Sequence, residues 1–471
     1  MQGSCVVWFN RDLRLSDNEA FSFACSLGVP GIPLYLSGAE LLSKPKIGAA
    51  SRWWLHESLQ SLDLSLKDSG SRLIVHSGVP QTAILDVVRE ANVSIVVWNK
   101  CYDPQTAEVQ SSILTELEKA NVRVKLFKGD VFLEPDQILN GTGRPYKVFT
   151  PFWKACLQKG FETSVKECPA EIASPVEWPS SVGIDQIRIK SAQRWSEKLH
   201  DAWIPGEKQG HSMLKTFVSS AMNLYSKQRD YPNLFSTSQL SPYLSFGEIS
   251  PKQILAYVRA KSDLKPEAFI RQLGWREFSS YLLYHFPRMQ NSPLRQEFRN
   301  FEWQNDKDGL SAWQIGATGY PIVDAGMRQL WETGWMHNRV RMIVASFLVK
   351  DLLIDWKLGA AWFWDTLVDA DIANNSAGWQ WVAGCGADAA PYFRIFNPVL
   401  QGNKFDPDGA YVREWVPELK KLPDKYIHSP WTASKEELFE SGIIPGETYP
   451  HPIIDHSFAR DRALSRFSLI K

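Results

Sequence analysis

Short apolar runs alternate with longer amphipathic segments over the first 130 residues. The short runs predict strands, and they read CVVWF, IPLYLS, RLIVH, SIVVW and VRVKLF. The longer segments have helical spacing of their apolar residues and predict helices near residues 18–26, 50–67, 80–91 and 105–120. Because strands that alternate with helices are joined by right-handed crossovers, this part of the chain predicts an α/β fold with a doubly wound parallel sheet.

The pattern changes twice after residue 130. Residues 131–200 are rich in Pro, Gly and Ser, as in KECPAEIASPVEWPSS, and these residues interrupt both periodicities. From about residue 201, apolar residues recur at spacings of three and four, as in EAFIRQLGWREFSSYLLYHF. The sequence therefore predicts an α/β domain over residues 1–130, an interdomain linker that runs over the surface at 131–200, and an all-helical domain over 201–471.

Composition and charge limit the classes of function. The chain has 471 residues, of which 44% are hydrophobic and 22% charged, as in a globular protein. Its 52 basic and 52 acidic residues give a formal net charge of zero, so any surface that attracts nucleic acid must be local. The 20 tryptophans stand out, because aromatic side chains at that density suit packing, flat ligands and stacked bases.

The sequence contains no recognisable secretory signal, membrane-spanning run, metal-binding motif or conventional nucleotide-binding motif. We expect a cytoplasmic protein without a membrane segment, because neither a secretory leader nor an apolar run of spanning length is visible. The six cysteines have no zinc or iron-sulfur spacing, so we expect free thiols and no metal site. No GxGxxG or GxxxxGK[ST] motif follows a predicted strand, which leaves a conventional dinucleotide or nucleoside triphosphate site unsupported.

The segment DADIANNSAGWQW, residues 369–381, combines two acids, two adjacent amides and two tryptophans. Carboxylates are rarely fully buried, whereas tryptophan is large and apolar. Their proximity indicates a ligand that is polar at one end and aromatic at the other. The alternative is a surface turn followed by tryptophans of the ordinary core.

A second polar segment, STSQLSPYLSFGEIS, covers residues 236–250. Its hydroxyls at Ser236, Thr237, Ser238 and Ser241 lie next to a predicted helix start. Helix N-termini offer free N–H groups to anions, so this segment could bind a diphosphate. A capped loop without a ligand is the alternative, since Ser and Thr are preferred caps.

A predicted helix over residues 334–356 carries an unusual face. Trp335, Asn338 and Met342 follow one another at spacings of three and four, and His337 and Arg341 would share a neighbouring face. An aromatic, an amide and a methionine together suit the wall of a pocket. In the alternative, the methionine and the tryptophan only fill the core.

Four arginines lie beside aromatic or amide residues: Arg229, Arg276, Arg339 and Arg394. Any one of them could form a surface ion pair. Together they are typical of a surface that binds a phosphate backbone and an exposed base.

Three long motifs resemble those of the photolyase and cryptochrome flavoproteins: WFNRDLRLSDN, TGYPIVDAGMRQLWETGWMHNRVRM, and DADIANNSAGWQW with DAAPYFRIFNP. The resemblance extends over nearly the whole chain. It implies an α/β antenna domain and a helical domain that holds a folded FAD. WMHNRVRM is most similar to the branch that repairs cyclobutane pyrimidine dimers, and the further histidine usual in (6-4) enzymes is absent from this region.

The resemblance implies roles for residues around the flavin. Asp369 and Asp371 would bind FAD, with Arg341 paired to Asp369, and Asn375 would face flavin N5, where an amide can adjust to either redox state. The implied cofactor contacts are Tyr225, Thr237, Ser238, Gln239, Leu240, Ser241, Phe269, Asn338, Arg341, Asp369, Ala370, Asp371 and Asn375. The antenna pigment stays open: SRWWLHESL at residues 51–59 resembles relatives that bind methenyltetrahydrofolate, and a deazaflavin or an empty site are the alternatives.

The same resemblance implies roles in electron transfer and DNA binding. Trp379, Trp356 and Trp303 match the chain of tryptophans that carries an electron from the surface to the excited flavin. Trp381 and Trp275 match residues that line the lesion pocket, into which photolyases and other base-modifying enzymes flip their target. The implied DNA and lesion contacts are Arg229, Gln272, Trp275, Arg276, Asn338, Arg339, Met342, Trp381 and Arg394.

The implied reaction is light-driven repair, in which excited reduced FAD donates an electron to the dimer, the cyclobutane ring opens and the electron returns. Gln272 departs from the pattern, because members that repair dimers normally carry glutamate there. An amide can still donate an N–H to a dimer carbonyl and does not repel the added electron, so we expect activity with altered efficiency. The substitution also fits a light sensor with relaxed repair function, or an engineered variant.

Two other classes of function compete with a deoxyribodipyrimidine photo-lyase that acts as a monomer on UV-damaged DNA. A cryptochrome-type blue-light receptor would use the same flavin and tryptophans, but such receptors often carry a long disordered C-terminal extension. This chain ends in ARDRALSRFSLIK soon after the family core, which favours the enzyme. A flavoprotein oxidoreductase is disfavoured by the missing nicotinamide motif and by the four arginines.

Overall fold

The computed structural model describes residues 3–38, 46–169, 171–187 and 194–470. By packing, the chain divides into two units. The first comprises Met1–Asn223, Ser238–Pro287 and Val368–Asp371, and the second comprises Leu224–Thr237, Arg288–Leu367 and Ile372–Lys471. Because these units group residues by packing, the domain limits at residues 130 and 200 stay a prediction.

A five-stranded parallel sheet forms the centre of the first unit, with strand order β3-β2-β1-β4-β5. The strands are β1 Ser4–Phe9, β2 Gly31–Leu36, β3 Ile74–His76, β4 Val93–Asn99 and β5 Arg123–Phe127. The helices between them are α1 Glu19–Ser26, α2 Ala49–Asp68, α3 Pro80–Glu90 and α4 Pro104–Lys119. Every residue of β1 and β2 is buried, as expected for a parallel sheet covered on both faces. The predicted doubly wound sheet is confirmed.

The loop that follows β1 is anchored by buried polar groups near the carboxyl ends of the central strands. Arg14 donates through both Nη atoms to Asp130, at 2.6 and 2.7 Å, and also to the carbonyl of Gly247 at 2.8 Å. Asn99, at the end of β4, donates to Asp12 at 2.7 Å. These contacts fix the segment WFNRDLRLSDN within the first unit, because buried charges persist only where they are paired.

Helices make up most of the remaining chain. In chain order they are α5 Phe149–Lys159, α6 Leu199–Ala202, α7 Glu207–Ser220, α8 Tyr225–Gln228, α9 Ser241–Ser245, α10 Pro251–Arg259, α11 Glu267–His285, α12 Lys307–Ile315, α13 Pro321–Thr333, α14 Asn338–Ser346, α15 Trp356–Thr366, α16 Ile372–Ala383, α17 Pro398–Phe405, α18 Ala410–Trp415, α19 Lys435–Glu440 and α20 His456–Ser468. Short 3-10 helices occur at Pro135–Gln137, Ile184–Gln186, Arg194–Lys198, Pro287–Gln290, Gln296–Asn300, Pro417–Leu419, Asp424–Tyr426 and Pro430–Thr432. None of the helices described is both long and apolar enough to span a bilayer.

The segment predicted as a linker, residues 131–200, contains a packed helix, and its role as a linker stays a prediction. In α5, Phe149, Phe152 and Cys156 are buried, and Phe152 lies against Tyr281 of α11 with ring centroids 4.7 Å apart. A surface connection would leave these side chains in water, which costs about 25 cal/mol for each Å² of apolar surface. Residues 170 and 188–193 of the predicted linker lie outside the described residues.

The predicted helix over residues 334–356 is wrong in its limits. Gly334 has a φ of +66° and ends α13, and α14 begins only at Asn338. Its helical path widens into a π turn at Phe347–Asp351, and Leu353, with a φ of +56°, separates it from α15. Trp335 therefore lies before the helix, while Asn338 and Met342 do share a face, with Nδ2 and Sδ 3.9 Å apart.

Candidate functional site

The acids of DADIANNSAGWQW belong to the first unit, which contains residues 368–371. Asp369 and Ala370 are buried and Asp371 is half-buried. The carbonyl of Ala370 accepts hydrogen bonds from Arg11 Nη1 at 3.3 Å and from Ser245 Oγ at 3.2 Å. The segment is thus fixed by the loop after β1 and by the end of α9, although neither residue was predicted to take part.

Arg11 contacts this cluster from the loop after β1. Its guanidinium lies over the ring of Phe246, 5.0 Å from the centroid, and Nη1 also donates to Ser245 Oγ at 3.3 Å. Burial raises the pKa of Asp103, an effect that nearby Arg11 opposes and Asp371 reinforces. Arg11 therefore favours the ionised form of Asp103 while it holds the carbonyl of Ala370, between Asp369 and Asp371.

The hydroxyl-rich segment divides between the units after Thr237. In the second unit, Ser236 is buried and its Oγ donates to the carbonyl of Gln228 at 2.9 Å, and its part in holding a diphosphate stays a prediction. In the first unit, Leu240 N donates to Ser238 Oγ at 3.4 Å, and Gln239 has a φ of +50°. This left-handed residue turns the chain sharply before α9, which begins at Ser241.

Three predicted cofactor residues lie in the second unit on α14 and α16. Asn375 is half-buried, and its Nδ2 donates to the carbonyl of Ala360 on α15 at 2.9 Å. Arg341 donates through Nε to the carbonyl of Met336 at 2.7 Å. Asn338 is exposed at the first position of α14. The pairing of Arg341 with Asp369 stays a prediction, as do the roles of Tyr225 and Phe269.

The three tryptophans predicted to carry electrons belong to the second unit. Trp379 is buried on α16, with its ring 5.0 Å from that of Phe363 and 6.2 Å from that of Trp313. Trp356 is buried at the start of α15. Trp303 is half-buried and lies against Phe301 at 4.4 Å. Trp379 and Trp303 thus each contact at least one other aromatic ring.

In the first unit, α11 carries three of the predicted lesion and DNA contacts. Trp275 stacks on Phe149 with centroids 3.8 Å apart and an interplanar angle of 8°, which covers one face of its indole. Gln272 donates through Nε2 to the carbonyl of Ala268 at 3.3 Å. Arg276 donates through Nη1 to the carbonyl of Asp130 at 2.9 Å. The indole and the amide are thus held by their own unit.

In the second unit, the predicted DNA contacts Arg229 and Arg339 converge on Asp230. Arg339 Nη2 lies 3.0 Å from Asp230 Oδ1, and Arg229 Nε lies 3.8 Å from the same oxygen. Trp381 is half-buried on α16, and Arg394 is exposed, with its carbonyl accepting from Lys350 Nζ at 2.7 Å. Asp230 was missed in the sequence, although QRDY places it directly beside one of the four arginines.

The motif at residues 51–59 lies on α2 in the first unit. Trp54 is buried and its Nε1 donates to Glu248 at 3.1 Å, while Trp53 donates to His200 Nε2 at 3.0 Å. Burial raises the pKa of Glu248 to about 8. Both indole N–H groups are therefore used within the protein, and the identity of an antenna pigment stays a prediction.

A parallel α/β sheet followed by helices, with acids, amides and indoles close together in sequence, is compatible with a protein that binds a polar aromatic cofactor such as a flavin. Residues 5–172 match the family described as DNA photolyase, and residues 269–469 match the FAD binding domain of DNA photolyase. The chain is 45% identical to the deoxyribodipyrimidine photo-lyase of Agrobacterium fabrum, with 99% of this chain and 98% of that protein covered. It is also 37% identical to cryptochrome-2 of Arabidopsis thaliana, with 99% of this chain and 79% of that protein covered.

A solved structure agrees with these relationships. The bacterial class III photolyase from Agrobacterium tumefaciens matches with a TM-score of 0.94 and 43% identity, over 100% of this chain and 98% of that chain. The chain therefore belongs to the photolyase and cryptochrome family. The predicted fold class, the enzyme class and FAD as the cofactor are confirmed.

Proposed function

We propose that this protein repairs cyclobutane pyrimidine dimers in UV-damaged DNA by electron transfer from photoexcited reduced FAD. The observation that supports this most is the relationship to a deoxyribodipyrimidine photo-lyase at 45% identity over nearly the full length of both chains. The lesion would leave the duplex and enter a pocket, because a base inside the stack is inaccessible to the enzyme. Binding as a monomer to the damaged strand is part of the proposal.

The hydroxyl and carboxylate side chains predicted to contact the cofactor suit the chemistry of FAD. Hydroxyl groups of Thr237, Ser238 and Ser241 would hold the phosphates and the ribityl chain, and the carboxylates of Asp369 and Asp371 would accept from its hydroxyl or ring N–H groups. When bound, FAD supplies the light absorption and the transferred electron. The protein's part is to orient this group and to keep water from the donor.

Asn375 would face flavin N5 with a side chain that can both donate and accept. Its Nδ2 uses one N–H on the carbonyl of Ala360 at 2.9 Å, which leaves its second N–H and the acceptor Oδ1 for a ligand. Reduced flavin carries a proton on N5, which Oδ1 would accept. The hydrogen bond to α15 would hold the amide in place for either redox state.

Trp275 and Gln272 would receive the dimer. Stacking on Phe149 at 3.8 Å fixes the indole of Trp275, and a flipped base would stack on the opposite face, a contact worth about 1–3 kcal/mol. Gln272 is neutral, and its Nε2 donates to the carbonyl of Ala268 at 3.3 Å, a long hydrogen bond that would let the amide turn toward a dimer carbonyl. An amide donor there would stabilise the added electron without repelling it.

A blue-light receptor of the cryptochrome type is the second candidate. Gln272 in place of the usual glutamate favours it, and so does the 37% identity to cryptochrome-2 of Arabidopsis thaliana. A receptor would retain the flavin and the tryptophans Trp303, Trp356 and Trp379, but would return little or no thymine from damaged DNA.

Illumination of the reduced protein with UV-damaged oligothymidine tests the proposal. The return of thymine absorbance would be followed for the wild type, for Gln272→Glu, and for Gln209→Glu, which adds the same charge on α7. We expect recovery for the wild type and for the control, with Gln272→Glu changing the rate. Recovery in Gln272→Glu alone would favour the receptor, and equal rates in all three would mean that the amide suffices.

A further inference from the structure

One carboxylate lies between two of the arginines that the proposed function assigns to DNA. In the second unit, Asp230 Oδ1 is 3.0 Å from Arg339 Nη2 and 3.8 Å from Arg229 Nε. An acid at a phosphate-binding surface opposes DNA electrostatically, because binding depends on the cations that face the backbone. Its presence between two arginines therefore needs another reason.

Both guanidinium groups are also held by aromatic rings of the same unit. Arg339 lies over Phe405, 4.3 Å from the ring centroid, and Arg229 lies over Tyr225 at 5.5 Å. Only 25% of the Arg229 side chain and 18% of the Arg339 side chain are exposed. A guanidinium held by a ring and a carboxylate loses less conformational freedom when it binds a phosphate.

The backbone around this cluster is fixed as well. Arg339 N donates to His337 Nδ1 at 3.2 Å, which caps α14, and Tyr231 packs edge-on against Phe405 at 6.4 Å. Burial lowers the pKa of His337 to about 4, so it caps the helix as a neutral ring at physiological pH. Asp230 therefore connects two segments of the unit, residues 229–231 and the first turn of α14.

We propose that Asp230 is a positioning residue, which sets the directions of Arg229 and Arg339 for the phosphates on either side of a pyrimidine dimer. This inference rests on the proposed function. Undamaged duplex is bound mainly through total charge, whereas a flipped lesion distorts the backbone and requires cations at fixed places. Asp230 thus contributes to the preference for damaged DNA, at some expense to general DNA affinity.

The test compares two substitutions that remove the same charge. Asp230→Asn breaks the cluster, while Asp424→Asn breaks a pair with Arg413, 2.7 Å apart in the same unit, that involves no predicted site residue. Binding would be measured in the dark to a duplex with a single thymine dimer and to the same duplex undamaged. We expect Asp230→Asn to lower the ratio of the two affinities about two- to five-fold, and Asp424→Asn to leave it unchanged.

Two further measurements separate positioning from loss of fold. Asp230→Glu restores the carboxylate and should recover most of the preference, and the flavin absorbance and thermal unfolding of Asp230→Asn should match those of the wild type. The slope of log affinity against log salt for damaged DNA should become shallower by about 1 in Asp230→Asn, as one phosphate contact is lost.

The possible outcomes are distinct. If Asp230→Asn binds both duplexes more tightly by one common factor, Asp230 acts only as a negative charge and the inference is overturned. An unchanged preference in a folded variant overturns it equally. A wild type that shows no preference for the dimer overturns the proposed function, and this inference with it.

Discussion

Gly359 allows a direct test of how Trp379 is placed. A methyl group on Gly359 would lie 2.1 Å from Trp379 Cη2, 2.5 Å from Cζ3 and 2.6 Å from Leu348 Cδ2. Carbon atoms pack at about 3.5–4.0 Å, so in Gly359→Ala the indole would have to move by more than about 1 Å or α15 and α16 would have to separate. Overpacking of this kind costs about 1–3 kcal/mol, against which alanine regains about 1 kcal/mol of helix propensity.

We expect Gly359→Ala to lower the free energy of unfolding by up to about 2 kcal/mol and to slow the photoreduction of oxidised FAD, for which Trp379 is one of the three predicted electron carriers. Unfolding would be followed in urea, and photoreduction by the loss of oxidised flavin absorbance under blue light with an external reductant. Gly378→Ala is the matched control, because a methyl group there meets no atom of the described residues within 4 Å. It should keep the photoreduction rate and raise stability by up to about 1 kcal/mol.

The comparison with Trp379→Phe decides whether this reasoning is right. If Trp379→Phe blocks photoreduction while Gly359→Ala proceeds at the wild-type rate, the position of the indole does not limit electron transfer. If neither alanine variant changes the free energy of unfolding, the close packing of Gly359 against Trp379 is wrong.

Three other substitutions have defined outcomes. Burial lowers the pKa of Lys350 to about 7, so between about pH 7 and 10 the unfolded chain binds this proton and the folded chain does not. The free energy of unfolding should therefore rise with pH in this range. In urea unfolding, Lys350→Met should remove the rise, and a variant with the wild-type pH profile would contradict this prediction. Asp130→Asn leaves the buried guanidinium of Arg14 without its paired carboxylate and should lower the free energy of unfolding by about 3–5 kcal/mol. A decrease of less than about 1 kcal/mol, measured by denaturant unfolding, would contradict this. Arg11→Met removes a donor to the carbonyl of Ala370 and should speed the release of FAD, measured by flavin fluorescence; wild-type release kinetics would show that Ser245 alone suffices.

The sheet could be predicted from the sequence because its signals are local. Each strand of a covered parallel sheet is a short apolar run, and each crossover helix has its own apolar face. The limits of β1, β4, α3 and α4 accordingly agree with the structure to about two residues. The break between α14 and α15 could not be read in this way, because Leu353 takes a positive φ that its residue type does not announce.

Parts of the candidate site depend on contacts between residues far apart in sequence. Arg11, Ser245 and Asp230 were not predicted from the sequence because their roles rest on such contacts. Ala370 is held by Arg11 and Ser245, which lie 359 and 125 residues away. Arg339 forms an ion pair with Asp230, which lies 109 residues earlier in the chain. The motif QRDY does not indicate which arginine pairs with this aspartate. Motif similarity names the residues that touch a ligand, because the ligand's chemistry constrains their types. The residues that hold those groups in place are chosen by packing, so only the structure identifies them.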